Sequence, residues 1–369
     1  MGSLRESYER IASLKRLILD EPEKMEHQSF AIGNSYIRAA KIPPAEGKQE
    51  KGQVILATGF NESFHDHYER IKYFTDRGYT VFTPDWAGQG TSGQKLGQKL
   101  GKPRTDGHDD DVRDLDILIR DKWKIDFSKP TFVFGYSTGA HIVALWEDQN
   151  PDLAQKLAGN IFPALMADLK TPKKLMSSDA MSHEESHQLS QQACDMGLEN
   201  VDLPNTRTKG FDLTYFFKHS VKQSGNALKK LNGSARDHFG SEARLSRSPF
   251  KMPTFGWVAA AYRTLKKTAS PELWKNINVP TLILTGTKDE VVDIDANVAA
   301  AANIPDNKGQ HITLEGVDHS LWSMNDEAYD KMFGYIETFM DECVDKFHLG
   351  QYMPSPANDI GPVITPKVA

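Results

Sequence analysis

Short apolar runs alternate with amphipathic stretches through the first half of the chain. Residues 28–44, QSFAIGNSYIRAAKIPP, alternate apolar and polar positions around a central Gly-Asn-Ser and predict a β-hairpin. QVILATGF (53–60) is a short apolar run rich in β-branched residues, fit for a strand buried on both faces. In HDHYERIKYFTDRG, Tyr68, Ile71 and Phe74 fall at helical spacing and Gly78 supplies the stop. YTVFTPD (79–85) predicts a second buried strand. DDDVRDLDILIRDKW predicts a helix with acids crowding its first turn, as the helix dipole favours. PTFVFG (130–135) predicts a third strand and AHIVALWEDQ the helix after it.

Strands alternating with helices predict an α/β fold, a mostly parallel sheet with helices on both faces. The alternation then stops. From about Met166 to Ser270 the chain is polar, rich in Met, Ser, His and Lys, with no clear strand. Regularity returns with a buried strand in VPTLILTGTKDEVV (279–292), a strand and loop in GQHITLEGVDHS, and a closing helix in EAYDKMFGYIETFMDECVDKF. This divides the chain into a core of 28–165 and 271–346 and an insertion of 166–270. Two terminal segments flank them. Leu4, Tyr8, Ile11, Leu14 and Leu17 predict an amphipathic helix within 1–27, and 347–369 read as a loosely held, proline-rich tail.

Composition narrows the classes. Over 369 residues, 39% hydrophobic and 25% charged is ordinary for a globular protein, and a net charge of −6 argues against bulk nucleic-acid binding. Two cysteines, Cys194 and Cys343, are too few for a disulfide framework and are expected to be unpaired. The N-terminus lacks the apolar core of a secretory signal, and no 18 apolar residues run together. The expectation is a cytoplasmic protein without a membrane span. The sequons at Asn61 and Asn232 are accordingly treated as chance.

The candidate chemistry centres on FGYSTGAH, where Gly135-Tyr136-Ser137-Thr138-Gly139 forms a G-x-S-x-G pentapeptide. Roughly one chain in ten of this length would contain it by chance, so its flanks must decide. It joins a predicted strand directly to a predicted helix. There a serine could be a nucleophile on a sharp turn, or simply the N-cap of the helix. A serine hydroxyl needs a base, and the base needs an acid to orient it. Asp289 follows the strand in LILTGTKDEVVD, and His319 sits in the loop LEGVDHSLW after the next strand. The order Ser, Asp, His at the same edge of successive strands favours the nucleophile. Among the competing acids Glu290, Asp293, Asp295 and Asp318, Asp293 is the fallback. The N–H groups of Thr138 and of Phe60, in the loop ATGFNES, are the expected oxyanion donors, with Gly59 letting that loop approach Ser137.

These motifs together resemble the serine α/β-hydrolases of the lysophospholipase (L2-like) and monoacylglycerol lipase branch. The stretch ATGFNESFHDHYERIKYFTDRGYTVFTPDWAGQGTSG is similar to that branch's opening. There an H-G-x-x-E-H-like loop precedes D-x-x-G-x-G-x-S, here Asp85, Gly88, Gly90 and Ser92. FGYSTGA, VPTLILTGTKDEVVD and LEGVDHSLW match its nucleophile turn, acid strand and histidine loop, and the likeness spans about 28–346. The chain departs at Thr58-Gly59, where relatives often have His-Gly, and at Tyr136 and Thr138, where His and Met are common. The resemblance implies an α/β-hydrolase fold whose insertion is a mainly helical cap over the carboxyl edge of the sheet. It also implies a serine ester hydrolase acting on monoacyl lipids through an acyl-enzyme. Gly59, Tyr136 and Trp257 are expected to contact substrate.

Residues 210–275 hold 12 Lys or Arg against 4 acids, a net of +8 that either solvates the cap or draws it to an anionic membrane surface. His108 beside Asp109, Asp110 and Asp111 reads as an acidic helix start before a metal site, and WAGQGTSG lacks the lysine of a P-loop. No cofactor or metal is expected, and no feature fixes an oligomeric state. The rival readings are acyl transfer or thioester cleavage by the same triad, and a binding protein on a catalytically dead scaffold.

Overall fold

The structure is a computed structural model that describes residues 25–33, 35–90, 92, 108–170, 182–201, 253–321 and 326–349. The helix expected within 1–27, the proline-rich tail and most of the basic segment lie outside the described residues.

Eight strands form one sheet in the order β1-β2-β4-β3-β5-β6-β7-β8. The predicted hairpin is β1 (Glu26–Ile32) and β2 (Ser35–Ile42), antiparallel to each other, turning at Gly33 with φ of 56°. β2 also runs antiparallel to β4 (Tyr79–Pro84). From β4 onward every neighbour is parallel, through β3 (Gly52–Ala57), β5 (Thr131–Gly135), β6 (Gly159–Pro163), β7 (Thr281–Gly286) and β8 (Gly309–Leu314). This is the expected α/β architecture.

The apolar runs are continuous because both faces of the sheet are covered. Successive side chains of a strand point to opposite faces. Ile55, Val133, Phe162 and Ile283 pack with Val112, Leu115, Ile142, Leu145 and Trp274. Those partners lie on α2 (His108–Ile117), α3 (Thr138–Gln149) and α7 (Pro271–Asn276). Val54, Leu56, Phe132, Phe134 and Leu282 face the other way, onto Ile71, Phe74, Met332 and Ile336. These belong to α1 (Tyr68–Asp76) and α9 (Asp326–His348). Four further helices are described: α4 (Pro151–Ala154), α5 (His183–Asp195), α6 (Phe255–Thr268) and α8 (Ile294–Asn303). Cys194 is partly buried and Cys343 is buried, and both are unpaired.

Among the elements absent from the sequence reading are β6 and α8. β6 is only five residues long and carries Asn160 at its second position, which breaks the apolar run. The asparagine is tolerated because its Nδ2 donates to Thr281 Oγ1 of β7 at 3.2 Å. α8 is alanine-rich and has little amphipathic pattern to detect, but Asp293 caps it by accepting from the Ala296 N–H at 3.1 Å.

The sheet order places the chemistry. β4 lies on one side of β3 and β5 on the other, so chain progression reverses there. The loops leaving β3 and β5 diverge and open a crevice at their carboxyl ends, the usual ligand position in open α/β sheets. The loops after β7 and β8 end at the same edge.

Among the buried ionisable groups, one carboxyl is strongly shifted by its burial. Glu147, on α3, is 1% exposed, and burial pushes its carboxyl up to about 8, with the neighbouring Asn160 amide offsetting part of the effect. The folded chain therefore holds a proton that the unfolded chain has released, and stability falls as pH rises from about 4.5 towards 8. Each unit of pKa difference corresponds to about 1.4 kcal/mol. Glu147→Gln should match the parent in thermal unfolding at pH 5 and exceed it in Tm by several degrees at pH 9. Parallel Tm–pH curves for the two proteins would contradict the assignment.

Candidate active site

Ser137 sits between β5 and α3 with φ of 52° and ψ of −116°. A side-chain-bearing residue there is strained, and such strain costs on the order of 1–3 kcal/mol. The two glycines of the pentapeptide do not carry that dihedral; they provide space. A Cβ on Gly135 would meet Ala140 Cα at 2.7 Å, and one on Gly139 would meet the Ala57 carbonyl oxygen at 2.2 Å. Helix α3 can therefore start directly against β3 and β5. The turn is tied down by Tyr136 N–H to Ala57 O (3.0 Å) and Ser137 N–H to Pro163 O (3.1 Å). Ser137 makes no side-chain cap to α3, so its hydroxyl is not an ordinary N-cap.

That hydroxyl instead meets His319. Ser137 Oγ lies 3.0 Å from His319 Nε2, and His319 Nδ1 lies 2.8 Å from Asp289 Oδ2. All three residues are buried, with Asp289 at 0% exposure. An ionised carboxylate only accepts, so Nδ1 carries the proton facing Asp289 and the Nε2 lone pair faces the serine O–H. The other carboxylate oxygen, Oδ1, accepts from the Val291 and Val292 N–H groups at 2.8 and 3.0 Å, which fixes the acid's rotamer. This chain can take a proton from Ser137, hold it as imidazolium, and return it.

The competing acids stand elsewhere. Asp293 caps α8, Glu290 and Asp295 are exposed, and Asp318 Oδ1 accepts from the Ser320 N–H at 3.0 Å.

Phe60 and Thr138, the expected oxyanion donors, stand on different elements. Thr138 opens α3, where first-turn N–H groups have no intrahelical acceptor. Phe60 follows Gly59 in the loop after β3. A Cβ on Gly59 would come within 2.9 Å of Tyr136 Cδ1 and 2.8 Å of Glu62 Oε2, so the loop closes on the pentapeptide only with glycine there.

Several supports of this loop were given no role from sequence. Glu62 Oε2 accepts from the Gly59 N–H (2.7 Å) and from His67 Nε2 (2.8 Å), while Arg70 Nε donates to His67 Nδ1 (3.3 Å). Burial opposes the charge on Glu62, yet His67, Arg70 and the Gly59 N–H hold its carboxyl below the ordinary range. Trp86 Nε1 donates to Thr58 O (2.8 Å), Gln89 Oε1 accepts from the Asn61 N–H, and Asp85 Oδ1 accepts from the Phe64 N–H (2.9 Å). The motif Asp85-x-x-Gly88-x-Gly90 is thus a clamp for the loop, and a Cβ on Gly90 would overlap the Asp85 carboxylate at 2.3 Å. Lys170 is another residue with no sequence signal. Its ammonium donates to the Asp289 carbonyl, beside a bridge between Leu169 and Val292, so the chain leaving β6 braces the acid loop.

The three residues expected to contact substrate are placed differently from one another. Gly59 shapes the loop. Tyr136 is 4% exposed, and its hydroxyl donates to the His319 carbonyl at 3.0 Å. Trp257, on α6, lays its ring on Phe60 with centroids 4.2 Å apart, and Ala261 and Val258 extend that apolar patch. α6 is held on the core by His141, whose Nε2 is 2.9 Å from Thr264 Oγ1. His108, weighed as a metal ligand, packs edge-on to Trp257 and lies 3.3 Å from Asp111.

The chain is similar to known proteins in sequence and in fold. A family model described as alpha/beta hydrolase fold matches residues 53–321. A monoglyceride lipase homolog of Monkeypox virus is 24% identical over 311 residues, 84% of this chain and 96% of that protein. A soluble variant of the Saccharomyces cerevisiae monoglyceride lipase, solved with a substrate analog, has a TM-score of 0.60 at 17% identity, covering 86% of this chain and 95% of its own. A monoacylglycerol lipase from Paleococcus ferrophilus has a TM-score of 0.57 at 17% identity, covering 83% and 98%. At such identities the structural likenesses show the fold alone.

The two candidate acids can be separated. Asp289→Asn should lower hydrolysis of p-nitrophenyl butyrate by on the order of 10³–10⁴ in kcat, because the imidazole loses its orienting carboxylate. Asp293→Ala should cost about 1 kcal/mol of stability through the lost cap and leave kcat within twofold. If Asp293→Ala proves the worse lesion to turnover, the acid is assigned wrongly.

Proposed function

This chain belongs to the alpha/beta hydrolase fold family, and from that premise we propose that it is a carboxylic ester hydrolase that cleaves monoacyl lipids at Ser137. The observation that carries the reading is the hydrogen-bonded chain from Ser137 Oγ through His319 to Asp289, mounted on a strained turn at the sheet's switch point. The sequence relative named as a monoglyceride lipase homolog supports the substrate class.

Ser137 Oγ attacks the ester carbonyl carbon as its proton passes to His319 Nε2. The carbonyl oxygen becomes an oxyanion, stabilised by the N–H groups of Phe60 and Thr138 where charge develops. Asp289 stabilises the imidazolium. The tetrahedral intermediate collapses, His319 protonates the departing alkoxide, and the alcohol (glycerol, or the head-group portion of a lysolipid) leaves. Ser137 then carries the acyl group. Water, deprotonated by His319, attacks that ester, and collapse releases the fatty acid and restores the Ser137 hydroxyl.

Phe60 packs with Trp257, Val258 and Ala261 in an apolar cluster, which gives its loop an apolar surrounding. We take 166–270 as the cap of this enzyme, α5 and α6 being its described helices. The case for an anionic membrane surface is weaker in that part. Lys266 pairs with Glu184 at 2.9 Å and Lys267 with Asp109 at 3.5 Å, so these charges are compensated locally. Lys218, Lys222, Lys229, Lys230, Arg236, Arg244, Arg247 and Lys251 lie outside the described residues. No helix among the described residues is long and apolar enough to cross a membrane.

A fluorophosphonate should label Ser137 stoichiometrically, and Ser137→Ala should remove both the label and ester hydrolysis while leaving the circular-dichroism spectrum unchanged. Assayed on acyl glycerols and matched lysophospholipids from C2 to C18, the parent should turn over monoacyl lipids faster than diacyl or triacyl species. Labelling at another serine, or a flat profile confined to the shortest esters, would contradict the reading.

A further inference from the structure

Residue 136 lies between two functional loops. Its backbone N–H is bound to Ala57 at the end of β3, and its side chain crosses the carboxyl edge of the sheet. The ring abuts Gly59 on one side, close enough that a Cβ there would touch it at 2.9 Å, and lies 5.9 Å from the His67 ring, centroid to centroid. On the other side it lies 5.7 Å from the His319 ring, and its hydroxyl donates to the His319 carbonyl at 3.0 Å. The contact joins residues 183 positions apart, one next to the serine and the other the base itself.

We propose that Tyr136 is a positioning residue, whose hydroxyl holds the His319 backbone so that the imidazole reaches Ser137 Oγ. The inference rests on the reading of Ser137, His319 and Asp289 as the hydrolytic triad. Hydrogen bonds in the histidine loop also include short-range ones and one from the acid loop. The His319 carbonyl accepts from Leu321 N–H at 3.0 Å, Ser320 N–H bonds Asp318, and the Lys288 N–H donates to Val317 O at 2.8 Å. Each of these moves with the β7 and β8 loops. The tyrosine hydroxyl ties the base to the turn that bears the nucleophile. Burial, reinforced by the negative charges of Glu62 and Asp289, holds the phenol well above its ordinary range, so the O–H remains a donor throughout the working pH range of a serine hydrolase.

The role is separable from packing because phenylalanine keeps the ring against Gly59 and removes only the hydroxyl. An error of about 1 Å in a reacting geometry costs about 10²-fold, and loosening one of several restraints should cost less. Tyr136→Phe should lower kcat for p-nitrophenyl butyrate about tenfold, expressed per active site titrated with fluorophosphonate, with KM unchanged. The rate of Ser137 labelling should slow by a similar factor. In a His319→Ala background the same substitution should have no further effect, because its influence passes through the imidazole. A kcat within twofold of the parent, or an equal loss in the His319→Ala background, would overturn the inference. Ser137→Ala, assayed alongside, tests the underlying reading separately: with that variant inactive, a parental kcat in Tyr136→Phe rejects the tyrosine's role alone.

Discussion

The positive φ at Ser137 is the constraint on which the site depends. An L-residue pays sterically for φ of 52° and ψ of −116°, and nothing local repays it. The turn persists because β5 enters it and α3 leaves it in fixed directions, both buried, with Ala57 and Pro163 carbonyls taking the N–H groups of Tyr136 and Ser137. The result is a hydroxyl displayed above the sheet instead of folded back onto its own helix. Gly135 and Gly139 permit this through close approach of α3 to the strands, which explains why small residues flank a serine that itself holds the strained dihedral.

Everything else brings partners to that hydroxyl. The parallel sheet delivers the loops after β3, β7 and β8 to one edge, which is enough to put Phe60, Asp289 and His319 in the same neighbourhood. Hydrogen-bond geometry at a few tenths of an ångström comes from the backbone and side-chain groups behind them. Val291 and Val292 N–H groups lock Asp289, the Glu62–His67–Arg70 series locks Gly59, and Trp86, Gln89 and Asp85 lock the rest of the loop after β3. The segment leaving β6 braces the acid loop through Lys170. Helix α6 completes the surroundings by resting Trp257 on Phe60.

Much of this is legible in the sequence because two periodicities coincide with chemistry. Runs such as VILA and FVF are apolar at every position when both faces of a strand are buried, so β3, β4, β5 and β7 stand out, and the loops containing Phe60, Ser137 and Asp289 begin where such runs end. β6 is hidden because Asn160 interrupts a run of only five residues, and its partner Thr281 lies 121 positions away. α8 is hidden because alanines give no face. The same limit applies to function. Ser137, Asp289 and His319 announce themselves by type and order. Tyr136 looks like a substrate contact, and its hydroxyl's partner is a backbone carbonyl, which leaves no trace in residue type. Glu62 and Lys170 act on backbone groups too, and are equally silent.

The central claim is that Ser137 carries the acyl group midway through turnover. Rapid acid quench of the enzyme with a slowly hydrolysed p-nitrophenyl ester, followed by peptide mass mapping, tests it directly. The expected result is a burst of p-nitrophenol equal to one per chain and an acyl mass increment on the peptide containing Ser137, decaying at the steady-state rate. Turnover of the same ester with no acyl increment on the Ser137 peptide at any quench time, or an acyl increment on any other residue, would contradict it.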